Sequence, residues 1–131
     1  MAEGKEPSGA RKQFGDFAPA IADFTDDVLF GQVWERRELS PRDRSLVTVT
    51  SLVTSGSTEQ LTYHLGLARQ NGVTETELIE AITHLAFYAG GPKAMSAMAV
   101  AKQVLEPVDK GGRPGRPGVM VPIWSLCGVL P

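Results

Sequence analysis

Between Ser40 and Leu105, glycine and proline punctuate the chain at intervals too short for long helices. Gly56, Asn71-Gly72 and Gly90-Gly91-Pro92 cut this stretch into four segments, each with apolar residues every three or four positions. That spacing gives a helix one apolar face, and such a face must be buried against a neighbour. The expectation is a set of short helices joined by tight turns and packed around one core.

Each segment carries its own start and stop signals. Ser40 suits an N-cap, Pro41 the first helical position and Gly56 the left-handed exit, around a stripe of Leu46, Val49, Leu52 and Val53. Valine and threonine are frequent there, so a strand competes, but the caps and the length favour a helix. In GSTEQLTYHLGLARQNG, Ser57-x-x-Gln60 has capping-box form, Leu61, His64, Leu65 and Ala68 share a face, and Asn71-Gly72 ends the segment. Thr74-x-x-Glu77 is a second capping box, opening a helix with Leu78, Ile82 and Leu85 on one side. Pro92 can start the last helix, KAMSAMAVAKQVL, whose small residues allow close helix packing. Upstream, Ile21, Phe24, Val28 and Leu29 predict a helix from about Pro19 that Gly31 interrupts or ends, and the polar residues 1–13 read as a mobile arm. The fold class is therefore all-α, a single-domain helical bundle of five or six helices. Residues 1–18 form an N-terminal arm, 19–105 the helical domain, and 106–131 a Pro/Gly-rich linker followed by an apolar tail.

Thirteen basic and fifteen acidic residues leave a net charge of −2 in 131 residues, which offers no electrostatic case for nucleic acid or an anionic membrane. The single cysteine, Cys127, excludes an intrachain disulfide and a CxxC pair. The polar N-terminus is unlike a signal peptide, and no apolar run approaches the roughly 20 residues of a membrane span. A cytoplasmic protein with a small-molecule substrate is the expectation.

His64 is the residue that most invites a chemical reading. A core or interface histidine with one hydrogen bond is the plain alternative; in a polar pocket, its imidazole would exchange protons near neutral pH. Gln60 lies one turn before it and Glu59 stands in the first turn, where a carboxylate also complements the helix dipole. His84 shares a flank with Glu80 and Tyr88, each one turn away. VWERRELSPRDR supplies Trp34, Arg36, Arg37, Arg42 and Arg44, any of which could clamp a carboxylate, although most read equally well as surface arginines or intersubunit ion pairs. No HxxxH, HExxH or Cys/His cluster points to a metal, and phosphate-loop and GxSxG patterns are missing.

Taken in order, FGQVWERRELSPRDRSLVTVTSLV and TEQLTYHLGLARQNGVTETELIEAITHLAFYAGGPKAMSAMAVAKQVL resemble the carboxymuconolactone decarboxylase family, from about Phe24 to Leu105. The resemblance implies an all-helical fold related to the alkylhydroperoxidase D-like proteins, assembled as homotrimers or homohexamers with sites near subunit contacts. The peroxidase branch carries CxxCxxxH and a relay glutamate; here the cysteine positions fall on Ser57 and Gln60 and the glutamate on Ser45, which cannot support dithiol chemistry. In the decarboxylase branch Arg44-Ser45-Leu46-Val47-Thr48 matches the RSLVT step and His64 the histidine of the short helix. Gln60 stands where the decarboxylases commonly have an acid, and Gly91 where an aromatic is common, which implies a wider pocket. The expected activity is a decarboxylase or isomerase of a small cyclic carboxylated or lactone substrate that needs no cofactor. In it His64, Glu59 and His84 would be catalytic, with Arg36, Trp34, Gln60 and Tyr88 binding substrate. The alternatives are a non-catalytic binding or scaffold oligomer of the same fold, and a tailoring enzyme of secondary metabolism.

Overall fold

A computed structural model describes residues 9–106, so the apolar tail and Cys127 lie outside the described residues. Among those residues the structure is helical throughout, without a strand: α1 (Gly9–Phe14), α2 (Pro19–Asp23), a π-helix (Phe24–Val33), α3 (Pro41–Ser55), α4 (Thr58–Gln70), α5 (Glu75–Leu85) and α6 (Gly91–Leu105). The all-α class expected from the periodicity is the class observed. Contacts divide the chain into two compact units, with the boundary between Pro41 and Arg42.

In the second unit the core is built on α4 and α6, which make the most extensive helix–helix contact. Leu61, Leu65 and Ala68 of α4 are fully buried, and so is Ala97 of α6, flanked on its face by Ala94 and Ala101. Three alanines at three- and four-residue spacing leave no side chain to hold two backbones apart. Leu78, Ile82 and Leu85 of α5 and Val49 and Val53 of α3 complete the same cluster. Each fully buried leucine or isoleucine contributes about 1.5–3 kcal/mol relative to an exposed one.

The turns are closed by backbone geometry. Asn71 caps α4, Gly72 follows at φ +97°, and the amides of Val73 and Gly72 donate to the carbonyls of Ala68 (2.9 Å) and Arg69 (3.1 Å). This is a Schellman pair, with the buried Val73 as its apolar contact. Gly56, at φ +75°, closes α3 in the same way, with Ser57 N–H donating to Leu52 and Gly56 N–H to Val53.

That second closure overturns one expectation. Ser57 forms no capping box with Gln60: its side chain caps nothing and its hydroxyl instead lies 2.8 Å from that of Ser55. The Ser57 amide is already committed to the end of α3, and its backbone, at ψ 66°, is short of the extended conformation in which an N-cap oxygen reaches the next turn. Thr74, at ψ 158°, is extended, and there the full capping box with Glu77 forms.

Side chains fasten one end of this unit. Asn71 Nδ2 donates to the buried Ser45 Oγ at 2.9 Å, joining the end of α4 to the start of α3. Arg42 of α3 pairs with Glu77, the same residue that caps α5.

The N-terminal unit departs from expectation in two places. A helical turn, α1, occupies Gly9–Phe14, part of what reads as a polar arm, and Arg11 on it pairs with Asp23 (2.9 Å), Asp26 (3.5 Å) and Asp27 (3.5 Å). Gly31 does not end its helix, which continues to Val33 with a π hydrogen bond from Trp34 N–H to Leu29 O (2.9 Å). A Cβ on Gly31 would sit 3.1 Å from the Asp26 carbonyl, so glycine accommodates the five-residue spacing rather than interrupting it.

The cap contrast sets a test by urea denaturation. Thr74→Ala should cost about 0.5–2 kcal/mol, whereas Ser57→Ala, whose side chain caps nothing, should leave the midpoint close to wild type.

Candidate functional site

His64 projects from the middle of α4, between the buried Leu61 and Leu65, and is itself half-buried. Its Nδ1 is shut off from solvent. The Tyr63 ring meets the imidazole edge-on, with centroids 5.0 Å apart and planes at 85°. Burial penalises the charged imidazolium and holds the pKa below its ordinary 6.5. At neutral pH the ring is therefore a neutral imidazole with one donor and one acceptor nitrogen. An anion placed beside it would offset the desolvation and draw a proton onto it.

The other expected residues are placed differently. Glu59 and Gln60 lie in the first turn of α4 and are exposed. His84 is exposed in the last turn of α5 and stacks at a tilt on Tyr88, with centroids 4.9 Å apart. Tyr88 and its neighbour Phe87 are 78% and 86% exposed, a large aromatic surface for one helix end. Arg36 and Trp34 belong to the N-terminal unit, where exposed Arg36 approaches Glu38 at 3.6 Å and Trp34 stacks on Phe30 at 5.9 Å. The structure thus brings His84 and Tyr88 together, and leaves Glu59 and Gln60 on an outer surface.

Two features escaped the sequence reading: the ring contact of Tyr63 with His64, and the burial of Ser45 with Asn71 as its partner. Tyr63 was hidden because adjacent helical positions ordinarily face different ways. Ser45 did leave a trace, since it stands one turn before Val49 in the apolar stripe and so had to be buried with a partner. Among the described residues no group of three or more His, Cys, Asp or Glu side chains could hold a metal, and no helix is long and apolar enough to cross a membrane.

Two surface cavities accompany the second unit. One, of about 480 Å3, is bordered by Gly56 and Thr58 and by Pro92, Lys93, Ser96 and Gln103 of α6. The other, of about 250 Å3, runs between α5 and α6. Neither is lined by His64, His84 or Tyr88.

Comparison with known proteins supplies the chemical context. The model of the carboxymuconolactone decarboxylase family matches residues 19–103. The chain is 35% identical over 102 residues to a 4-carboxymuconolactone decarboxylase of Acinetobacter baylyi, covering 78% of this chain and 76% of that protein. It is 39% identical over 83 residues to the nitrosuccinic acid decarboxylase npaB of Metarhizium robertsii, covering 63% of this chain and 58% of the relative.

The depressed His64 pKa has a consequence for stability. The unfolded chain takes up this proton near pH 6.5 and the folded chain only at lower pH. The neutral ring's contribution is therefore complete above 6.5 and is lost as pH falls through the folded value. Denaturation midpoints of the wild type and His64→Gln, compared from about pH 8 to about pH 5, should show the wild type losing ground to the variant on the acid side.

Proposed function

The chain belongs to the carboxymuconolactone decarboxylase family, and from that membership we propose that it is a decarboxylase in which His64 delivers the proton that replaces CO2. The half-buried, desolvated histidine on α4 is the observation that carries this reading. The names of the two relatives support it from the substrate side. A lactone and a nitro group are both electron-withdrawing, and each can delocalise the electron pair that CO2 leaves behind. The substrate class is accordingly a small carboxylic acid with such a group conjugated to the carbon that loses its carboxylate.

The step balances without an oxidant or a reductant. The bond from that carbon to the carboxylate breaks, CO2 departs, and the electron pair spreads into the lactone or nitro group. The carbanion then takes a proton from the His64 imidazolium, which solvent reprotonates. In the free protein His64 is mostly neutral, and an arriving carboxylate shifts it toward the charged, proton-donating form. Binding thus loads the donor, and a site that excludes water strengthens the attraction between the two.

Gln60 and Tyr88 stand around the substrate in this scheme, with Glu59 and His84 as further polar groups. Most of these side chains are exposed, and a second copy of the chain, in a homotrimer or homohexamer, closes the pocket over them. The exposed Tyr63, Phe87 and Tyr88 supply aromatic surface for that closure. The dithiol peroxidase reaction is set aside, because Ser57 and Gln60 occupy the positions where it needs cysteines. A scaffold role is the second reading, favoured by the position of both described cavities away from His64.

Consumption of 4-carboxymuconolactone and of nitrosuccinic acid, followed with wild type and His64→Ala side by side, separates the two. A decarboxylase loses about 10²–10⁴-fold in kcat in the variant, and wild-type kcat/KM falls as pH rises through a value below 6.5. A folded wild type that consumes neither acid supports the scaffold.

A further inference from the structure

The groove between α5 and α6 plays no part in the reaction proposed above. It has a volume of about 250 Å3, its apolar lining is Ile79, Met98, Ala101 and Leu105, and Glu75, Lys102 and Glu106 border it. Ile79 remains 40% exposed there, and the buried core continues beneath it at Ala101. The slot thus offers an apolar seat beside the core that a further apolar segment could fill.

We propose that the groove is the seat of the chain's own C-terminal segment, residues 119–131, docked in cis with Trp124 as its anchor. Three observations select this occupant. The groove ends at Glu106, where α6 stops, so the chain leaves α6 at the mouth of the slot. Residues 107–118 can reach up to about 40 Å, while α6 is only about 22 Å long; a return along the helix is within reach. The composition also matches the slot. Val119 to Pro131 contains no charged residue and includes Val121, Ile123, Trp124, Leu126 and Leu130, whereas the preceding stretch carries Lys110, Arg113 and Arg116 against Asp109. An apolar segment thus meets an apolar slot, and a basic stretch meets the carboxylates of Glu75 and Glu106 on its border.

The tether favours this chain over another copy. A short linker holds its end at an effective concentration of about millimolar, far above the concentration of free copies in a dilute solution. Seating the segment also hides an uncharged apolar stretch that would otherwise promote association. The groove is then a structural dock that completes the helical unit, separate from the His64 surface.

The chain has two tryptophans, Trp34 and Trp124. In the full chain carrying Trp34→Phe, tryptophan fluorescence reports on Trp124 alone. Docking predicts blue-shifted emission that resists acrylamide and does not change on dilution. Ile79→Asp, placed on top of Trp34→Phe, should shift the emission to the red and raise quenching severalfold while the helical circular dichroism persists. Glu75→Lys, on the half-buried border and outside the core, should move both signals in the same direction by less. Emission that is unchanged by both groove variants overturns the proposal, whatever its colour. A blue emission lost on dilution also overturns it and assigns the segment to a second copy.

Discussion

The packing of α4 on the alanine face of α6 is the constraint on which the rest of the second unit depends. Ala94, Ala97 and Ala101 recur along one face of α6, where leucines would hold α4 away. With the backbones close, Leu61, Leu65 and Ala68 are driven fully into the core, and this fixes the rotation of α4 about its own axis. His64 is carried to the margin of that buried stripe. There it is too covered for its charge to be well hydrated, yet still open enough to remain half-exposed. The lowered pKa of His64 is thus a consequence of the burial that helix packing imposes.

The end of the unit where α3 begins is fastened by polar contacts. Ser45 is fully buried and its hydroxyl accepts from Asn71, so a polar group in the core stripe of α3 fixes where α4 stops. Arg42 pairs with Glu77, and Glu77 also closes the capping box with Thr74. The exposed Arg42–Glu77 ion pair contributes little energy by itself. The role of these polar contacts is register: α3, the α4–α5 turn and α5 are set against one another at a single end.

Much of this was legible in the sequence, because each helix boundary rests on a local physical necessity. Gly56 and Gly72 adopt positive φ, and Thr74 with Glu77 forms a cap within four residues of chain. The order of motifs from Phe24 to Leu105 resembled the family that the comparison then showed. The failures arise where one residue answers two demands or where partners are remote. Ser57 has the sequence form of a cap, but the end of α3 uses its backbone first. Gly31 looks like a break, yet the helix runs through it, and the missing Cβ spares a 3.1 Å contact with the Asp26 carbonyl. Ser45 and Asn71 are 26 positions apart, a distance over which local patterns are silent. The site was only partly legible for a related reason. Periodicity put His64 on the apolar face, and the i,i+4 spacing brought His84 to Tyr88, but helical spacing alone does not place Arg36 or Trp34 around a substrate.

The central claim is that an activated carboxylate loses CO2 and that the delocalised carbanion left behind is protonated. The most direct measurement is product analysis by NMR after incubation of the full-length protein in D2O with a panel of carboxylic acids bearing an adjoining lactone, nitro or keto group. The account predicts release of CO2 from at least one member, with one deuterium taken up by the resulting carbanion, at the carbon that carried the carboxylate or at the far end of the conjugated system. Recovery of every acid unchanged from folded protein would contradict it, as would a product that retains all of its carboxylates.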